Sequence, residues 1–130
     1  AGIFEDVKRL KYIFGTCAGA ILLAKTIYHQ EKDQKTFELM DIEVDRNAYG
    51  RQVESFEIPI NTTLGKLNAV FIRAPKINKI GKEVKILASL NNEITACEQK
   101  TESGYYLATC FHPELSSGLF HKYFLQKIYS

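Results

Sequence analysis

A cysteine flanked by two glycines, between a predicted strand and a predicted helix, restricts the fold of this chain more than any other feature. Tyr12–Phe14 is an apolar run typical of a buried strand, and the apolar stretch Ala20–Tyr28 predicts a helix that starts near Ala18. Gly15-Thr16-Cys17-Ala18-Gly19 joins them with the Gly-x-Cys-x-Gly spacing of a nucleophile elbow, a turn that more often carries serine. We therefore predict a sharp strand–turn–helix connection with Cys17 at its tip.

The two glycines also indicate what Cys17 does. A nucleophile at such a turn sits on strained backbone, and Gly15 and Gly19 lack side chains that would hold the strand and the helix apart. We expect the positive end of the helix to favour the thiolate and to lower the pKa of the thiol. A buried, unreactive side chain is the commoner role for an arbitrary cysteine, but this glycine spacing favours the nucleophile.

The rest of the chain predicts a mixed α/β fold with about six strands after Cys17 and few helices. Ala1–Leu10 places apolar residues on one helical face, and Ser117–Tyr129 predicts a C-terminal helix. Two of the strands flank Asn91-Asn92-Glu93 and predict a hairpin. The predicted strands are Leu39–Asp45, Gln52–Ile60, Leu67–Ile72, Val84–Leu90, Ile94–Gln99 and Tyr105–Phe111.

Composition limits the class of protein. A length of 130 residues, with 45% hydrophobic and 25% charged residues, is typical of one globular domain. The net charge of +2 is too small, and the basic residues too dispersed, to indicate nucleic-acid binding. No apolar run approaches the roughly 20 residues of a membrane span. Three cysteines, an odd number, do not form a disulfide framework, so a reducing cytoplasm is the expected location.

The predicted helices are too few for the predicted sheet. An apolar central strand such as Tyr12–Phe14 normally needs helices on both faces of its sheet. The opening helix, Ala1–Leu10, has no preceding partner, and the sequence begins without Met. We therefore expect that part of the sheet and its covering helices belong to a segment that precedes Ala1.

A cysteine nucleophile needs a base, and His112 is the best candidate among the three histidines. It follows a buried strand, at the sheet edge where open α/β folds place their sites. Pro113 restricts His112 to an extended conformation, in which residues two apart project to the same side. Glu114 is therefore expected to bond one ring nitrogen of His112 and leave the other for Cys17. His29 and His121 are better explained as surface residues.

Four segments carry a resemblance to a known family. Gly15–Gly19 together with Phe111–Leu115 resembles the class I, or triad, glutamine amidotransferases. Asp45–Phe56 and Phe71–Pro75 are similar to the glutaminase subunits of pyridoxal 5′-phosphate synthase, and the first of these is specific to that subunit. The resemblance covers essentially the whole chain.

The resemblance implies a role for each matching residue. Cys17 is the nucleophile, His112 the general acid and base, and Glu114 the residue that orients His112. The backbone N–H of Ala18 is the expected oxyanion donor. Arginines in loops are otherwise read as solvated residues, but by resemblance the positions that contact glutamine are Arg46, Ile72 and Arg73.

The resemblance also implies a fold, a reaction and partners. The fold is α/β, a flavodoxin-like three-layer sandwich with a mixed sheet, and residues 1–130 form one glutaminase domain equal to the C-terminal two-thirds of the family domain. The implied reaction is hydrolysis of L-glutamine, with ammonia passed to the pyridoxal 5′-phosphate synthase subunit in a hetero-oligomer. No metal, organic cofactor, nucleic acid or membrane is implied. Cys97 and Cys110 lack the paired spacing of zinc ligands and are expected to be buried strand cysteines.

One family feature has no counterpart in the sequence. Family members begin with a βαβ region that carries a Gly-Gly-Glu-Ser type loop, the source of the second oxyanion donor and of part of the glutamine pocket. Losing one such donor typically costs about 100- to 1,000-fold in rate. We therefore expect the isolated chain to lack useful activity, with glutamine hydrolysis far below ordinary rates.

Two other functions remain open on sequence grounds. A Cys-His peptidase or esterase of related fold would use the same three residues but would not explain Arg46–Phe56. A non-catalytic scaffold for the synthase would account for the missing loop.

Overall fold

The computed structural model describes residues 9–28, 36–46, 55–72, 74–115 and 117–129. Within these ranges the chain forms strands, two helices and a short 3-10 turn at Pro113–Leu115. The helices are α1 (Ala18–Leu23) and α2 (Leu119–Tyr129). The strands are β1 (Tyr12–Thr16), β2 (Ala24–Tyr28), β3 (Met40–Asp45), β4 (Ser55–Thr62), β5 (Gly65–Ile72), β6 (Lys76–Ile80), β7 (Val84–Leu90), β8 (Glu93–Lys100) and β9 (Tyr105–Thr109).

All of the strands belong to one mixed sheet. Its main path runs β2-β3-β6-β8-β7-β4-β5, and β9 joins β8 while β1 lies beside β9. The β1–β9 and β2–β3 pairs are parallel, and the other pairs are antiparallel. The predicted hairpin is confirmed, because β7 and β8 pair antiparallel from Val84↔Gln99 to Leu90↔Glu93. A mixed α/β architecture is therefore confirmed as well.

The two helices lie on opposite faces of the sheet at β1. Phe14 points towards α2, where its ring lies 5.5 Å from that of Phe124. The next residue, Gly15, faces α1, because a Cβ on Gly15 would lie 2.6 Å from the backbone of Gly19. Since successive strand residues point to opposite faces, these contacts define three layers: α1, the sheet and α2. Side chains buried between the layers include Phe71, Tyr106, Phe111 and Phe120.

A buried carboxylate ties α2 to the sheet. Glu98 on β8 is only 7% exposed. Its Oε1 accepts hydrogen bonds from the hydroxyls of Tyr105 at 2.5 Å and Tyr123 at 2.7 Å. Lys127, one turn further along α2, lies 5.0 Å from the ring of Tyr123. These contacts hold the C-terminal half of α2 against β8 and the start of β9.

The prediction of a helix over Ala20–Tyr28 is wrong in its second half. The helix ends at Leu23, Ala24 adopts an extended conformation with φ −70° and ψ 148°, and β2 follows. Thr26 and Ile27 are β-branched, which favours a strand that pairs with β3 over a further helical turn. The apolar residues alone could not distinguish the two.

Strand β6, like β2, was not predicted. Only Ile77 of its five residues is fully buried, and its two lysines interrupt the apolar pattern that would indicate a strand. It pairs antiparallel with β3. The other predicted strands are present with ends shifted by a few residues, and the C-terminal helix begins at Leu119 rather than Ser117. The predicted opening helix lies mostly outside the described residues, as do Gln52–Glu54.

No helix in the part of the chain that the structure describes is long and apolar enough to cross a membrane.

Gly15→Ala is expected to destabilise the fold because the added methyl group would lie 2.6 Å from backbone atoms of Gly19 and 2.9 Å from the side chain of Leu23. We expect the free energy of unfolding, measured by urea denaturation, to fall by about 1–3 kcal/mol. Gly19→Ala is the matched control, since a Cβ there meets nothing within 4 Å. Equal midpoints for Gly15→Ala and the parent would contradict the close approach of β1 and α1.

Candidate active site

Parallel pairing of β1 and β9 brings the two halves of the candidate site to one edge of the sheet. Thr16, the last residue of β1, pairs with Thr109, the last residue of β9. The next residue, Cys17, donates its backbone N–H to the carbonyl of Thr109 at 2.8 Å. Its thiol lies 3.3 Å from the carbonyl oxygen of Cys110, two residues before His112. Residues 93 positions apart in sequence therefore meet at Cys17.

The backbone of Cys17 has the strain predicted for a nucleophile elbow. Its φ of 48° and ψ of −103° lie in a region that residues with a side chain rarely adopt. The carbonyl of Cys17 accepts N–H groups from Ala20 at 3.0 Å and Ile21 at 3.3 Å, which starts α1 at once. Ala18 is the first residue of α1, where a backbone N–H has no acceptor within the helix. That geometry suits an oxyanion donor, and the role of Ala18 stays a prediction.

His112 and Glu114 form the contact that the sequence predicts. His112 Nδ1 lies 2.7 Å from Glu114 Oε1, and the two side chains are 26% and 40% exposed. Glu114 reaches the ring from the 3-10 turn at Pro113–Leu115, not from the extended segment that we expected. The backbone N–H of His112 donates to the carbonyl of Val70 at 2.8 Å, which ties this loop to β5. Since Nδ1 is occupied by Glu114, Nε2 is the ring nitrogen left for proton transfer.

The expectation that the helix lowers the pKa of Cys17 is wrong. Burial, with a smaller contribution from the charge of Glu114, raises the pKa of the thiol to about 11. The backbone N–H of Ile72 opposes this rise by donating a hydrogen bond to the sulfur. A helix end contributes about 0.3–1 kcal/mol, less than one pKa unit, whereas burial can shift a pKa by several units. Cys17 is therefore a neutral thiol that needs a base.

Contacts in the structure link four of the seven predicted site residues. Cys17 contacts the backbone of Ile72 and feels the charge of Glu114, which in turn bonds His112. Ile72 ends β5 with its side chain 41% exposed. The other three are Ala18, Arg46, partly buried just after β3, and Arg73, which lies outside the described residues.

Sequence reasoning missed the carbonyl groups that hold the elbow. Thr109 and Cys110 present backbone oxygens to Cys17, and no side-chain pattern reveals a backbone acceptor. Cys97 and Cys110 are fully buried as predicted, and all three cysteines are free. His121 is exposed on α2, 5.1 Å from the ring of Phe14, whereas His29 lies outside the described residues.

Comparison with known proteins gives the family. Residues 2–130 match the SNO glutamine amidotransferase family. The chain belongs to this family. A crystal structure of a glutamine amidotransferase has the same fold, with a TM-score of 0.85 and 41% identity over 96% of this chain and 67% of that one. The expected class I glutamine amidotransferase-like fold is therefore confirmed.

Three curated relatives of the chain share one name. The chain is 49% identical to pyridoxal 5′-phosphate synthase subunit PdxT of Brevibacillus brevis over 95% of this chain and 63% of the relative. For the Haemophilus influenzae protein of the same name (strain PittEE), identity is 50% over 87% of this chain and 57% of the relative. The protein of the same name from Archaeoglobus fulgidus is 44% identical over 96% of this chain and 65% of the relative. The chain thus spans about three-fifths of the length of these relatives.

The raised pKa of Cys17 predicts a loss of stability at high pH. An unfolded cysteine loses its proton near pH 9, whereas folded Cys17 keeps it to about pH 11. Between these values the unfolded state binds fewer protons, so the stabilisation present below pH 9 declines as pH rises. The contribution lost is about 1–2 kcal/mol.

Urea denaturation at pH 8, 9.5 and 11 measures this contribution, with Cys17→Ala as the reference because it lacks the titrating group. The free energy of unfolding should fall more steeply for the parent than for Cys17→Ala. Parallel pH profiles would show that burial does not hold the thiol in its neutral form.

Proposed function

We propose that this chain hydrolyses the side-chain amide of L-glutamine to glutamate and ammonia, as one glutaminase domain over residues 1–130. The observation that carries the proposal is the strained cysteine of the elbow placed at the same sheet edge as the His112–Glu114 pair. A nucleophile, a base and a group that orients the base are the parts that thiol-dependent acyl transfer requires. Membership of an amidotransferase family supports glutamine as the acyl donor.

The first half of the proposed reaction forms a thioester. The S–H of Cys17 turns away from the carbonyl of Cys110 and gives its proton to Nε2 of His112, while the sulfur attacks the amide carbon of glutamine. Glu114 holds Nδ1–H and stabilises the imidazolium that results. The N–H of Ala18 donates to the oxyanion. The carbon–nitrogen bond then breaks as His112 returns the proton to the leaving ammonia.

The second half regenerates the enzyme. Water gives a proton to Nε2 of His112 and attacks the thioester carbon, and the carbon–sulfur bond breaks to release glutamate. The thiolate of Cys17 recovers its proton from His112. Burial favours the neutral thiol in the resting state, so the proton that leaves at the start returns at the end. The residues described here supply each proton transfer without a metal or an organic cofactor.

Substrate contacts complete the proposal. Arg46, Ile72 and Arg73 bind glutamine in this proposal, and the backbone hydrogen bond from Ile72 to Cys17 supports the assignment of Ile72. Its side chain is 41% exposed, so it is available to a ligand beside the thiol. The ammonia passes to the pyridoxal 5′-phosphate synthase subunit in a cytoplasmic hetero-oligomer, a proposal supported by the name that the curated relatives share.

The test is direct. Glutamate and ammonia are measured after incubation of the protein with glutamine, alone and with the synthase subunit, and peptide and ester substrates are assayed in parallel. Release of both products from glutamine, without cleavage of the peptides or esters, supports the proposal. Cleavage of peptides or esters in place of glutamine would assign the site to a peptidase or esterase.

The non-catalytic alternative has its own outcome. If Cys17→Ala supports complex formation and ammonia supply as well as the parent does, the chain acts as a scaffold and the catalytic assignment fails.

A further inference from the structure

The turn that leads from β9 to His112 is held by backbone contacts on both sides of Phe111. The N–H of Cys110 donates to the carbonyl of Thr95 on β8 at 2.8 Å. The N–H of His112 donates to the carbonyl of Val70 on β5, also at 2.8 Å. The backbone therefore changes its hydrogen-bond partner from β8 to β5 within three residues, and the peptide between them leaves the regular ladder.

Phe111 lies between these two hydrogen-bonded residues, and its carbonyl needs a hydrogen-bond donor. Phe111 is fully buried, and β9 has already ended at Thr109. The partner is the hydroxyl of Thr109, whose Oγ1 donates to the carbonyl of Phe111 at 2.8 Å. Thr109 is itself fully buried, so water is not available to replace this bond. A buried carbonyl left without a donor is costly, and the turn would move to find one.

The same residue also holds the nucleophile. The carbonyl of Thr109 accepts the N–H of Cys17 at 2.8 Å. Thr109 thus bonds the elbow through its backbone and the turn before His112 through its side chain.

We propose that Thr109 is a positioning residue that fixes His112 relative to Cys17. The proposal rests on the proposed function, because the geometry is said to matter for proton transfer between the side chains of Cys17 and His112. Thr109 touches no reacting atom, so removal of its hydroxyl changes rates through His112 and not through loss of a catalytic group. Small displacements of a catalytic group can cost about 100-fold in rate.

The test uses three substitutions. Thr109→Val removes the hydroxyl but keeps the shape, and Thr109→Ser restores the hydroxyl. Thr95→Val is the matched control, because Thr95 is also fully buried in the sheet but its Oγ1 has no hydrogen-bond partner among the described residues. We expect Thr109→Val to lower kcat for glutamine about 10- to 100-fold with KM little changed. Thr109→Ser and Thr95→Val should stay near the parent rate.

A second readout does not depend on turnover. The rate at which iodoacetamide alkylates Cys17, followed by peptide mass from pH 6 to 9, reports how far His112 assists removal of the thiol proton. In Thr109→Val the alkylation rate should depend less on pH than in the parent, as it should in His112→Gln. In a double-mutant cycle, Thr109→Val should have little further effect once His112 is Gln, because both changes remove one interaction. All variants are assayed below their unfolding transitions.

The outcomes separate this proposal from the proposed function. A Thr109→Val protein that matches the parent in kcat and in alkylation overturns the positioning role, as does an effect that adds fully to that of His112→Gln. If the parent hydrolyses no glutamine, but Thr109→Val still flattens the alkylation profile and does so only when His112 is present, the glutaminase assignment fails and the positioning role stands.

Discussion

Cys17→Ala is expected to reduce glutamine hydrolysis by about 10⁴-fold or more relative to the parent chain. The thiol supplies the sulfur of the proposed thioester, and no other side chain in the site can replace it as a nucleophile on the same strained turn. Alanine keeps the backbone of the elbow and removes only the sulfur. The measurement is glutamate release from glutamine by the parent and by the variant at the same protein concentration.

Cys97→Ala is the matched control for this loss. Cys97 is fully buried, so its substitution also removes a thiol from the core, but it lies on β8 rather than on the elbow. We expect Cys97→Ala to keep the parent rate, with a modest decrease in unfolding free energy from the small cavity. Retention of more than about one tenth of the parent rate in Cys17→Ala would exclude a cysteine mechanism.

His112→Gln is expected to lower the rate about 10³-fold. Burial holds Cys17 in its neutral form with a pKa of about 11, so at neutral pH the thiol depends on a base for every attack. The same imidazole must then protonate the leaving ammonia. Glutamine at this position keeps a polar side chain next to Glu114 but can accept no proton at neutral pH.

His121→Gln distinguishes this role from a general effect of losing a histidine. His121 is exposed and contacts Phe14 on the other face of β1, so its substitution should leave the rate unchanged. The activity of His112→Gln should also recover in part at high pH, where more of the thiol ionises without help. Equal rates for His112→Gln, His121→Gln and the parent would remove His112 from the mechanism.

The parts of the site that sequence alone predicted are those set by local geometry. Gly15 is required by the close approach of β1 to α1, and the tight turn between them places Cys17 at its tip, so a five-residue pattern specifies both positions. The Glu114–His112 contact lies within three residues, where Pro113 limits the backbone. These constraints hold in any context that keeps the strand and the turn.

Other features depend on tertiary contacts that no short pattern contains. β2 is a strand because it pairs with β3, although the apolar run Ala20–Tyr28 predicted a helix throughout. The pKa of Cys17 rose because the folded sheet removes water from the thiol, an effect larger than that of the helix end. The bond from Thr109 to the turn before His112 follows from where β9 ends, which the apolar run Tyr105–Phe111 concealed.

The arginines show a different limit. Arg46 and Arg73 were assigned to glutamine only by resemblance, since a loop arginine is most often solvated. The structure describes Arg46 at the end of β3, and Arg73 lies outside the described residues. Their part in substrate binding is a question for the KM of single substitutions.

The central claim is that Cys17 is the nucleophile for the side chain of glutamine, and a diazoketone analogue of glutamine tests it most directly. Such an analogue places an electrophilic carbon where the amide nitrogen of glutamine would lie and forms a stable bond with the attacking sulfur. Peptide mass mapping after incubation should find the adduct on Cys17, and excess glutamine should prevent it. An adduct on Cys97 or Cys110, or no adduct on Cys17 at saturating analogue, would contradict the account.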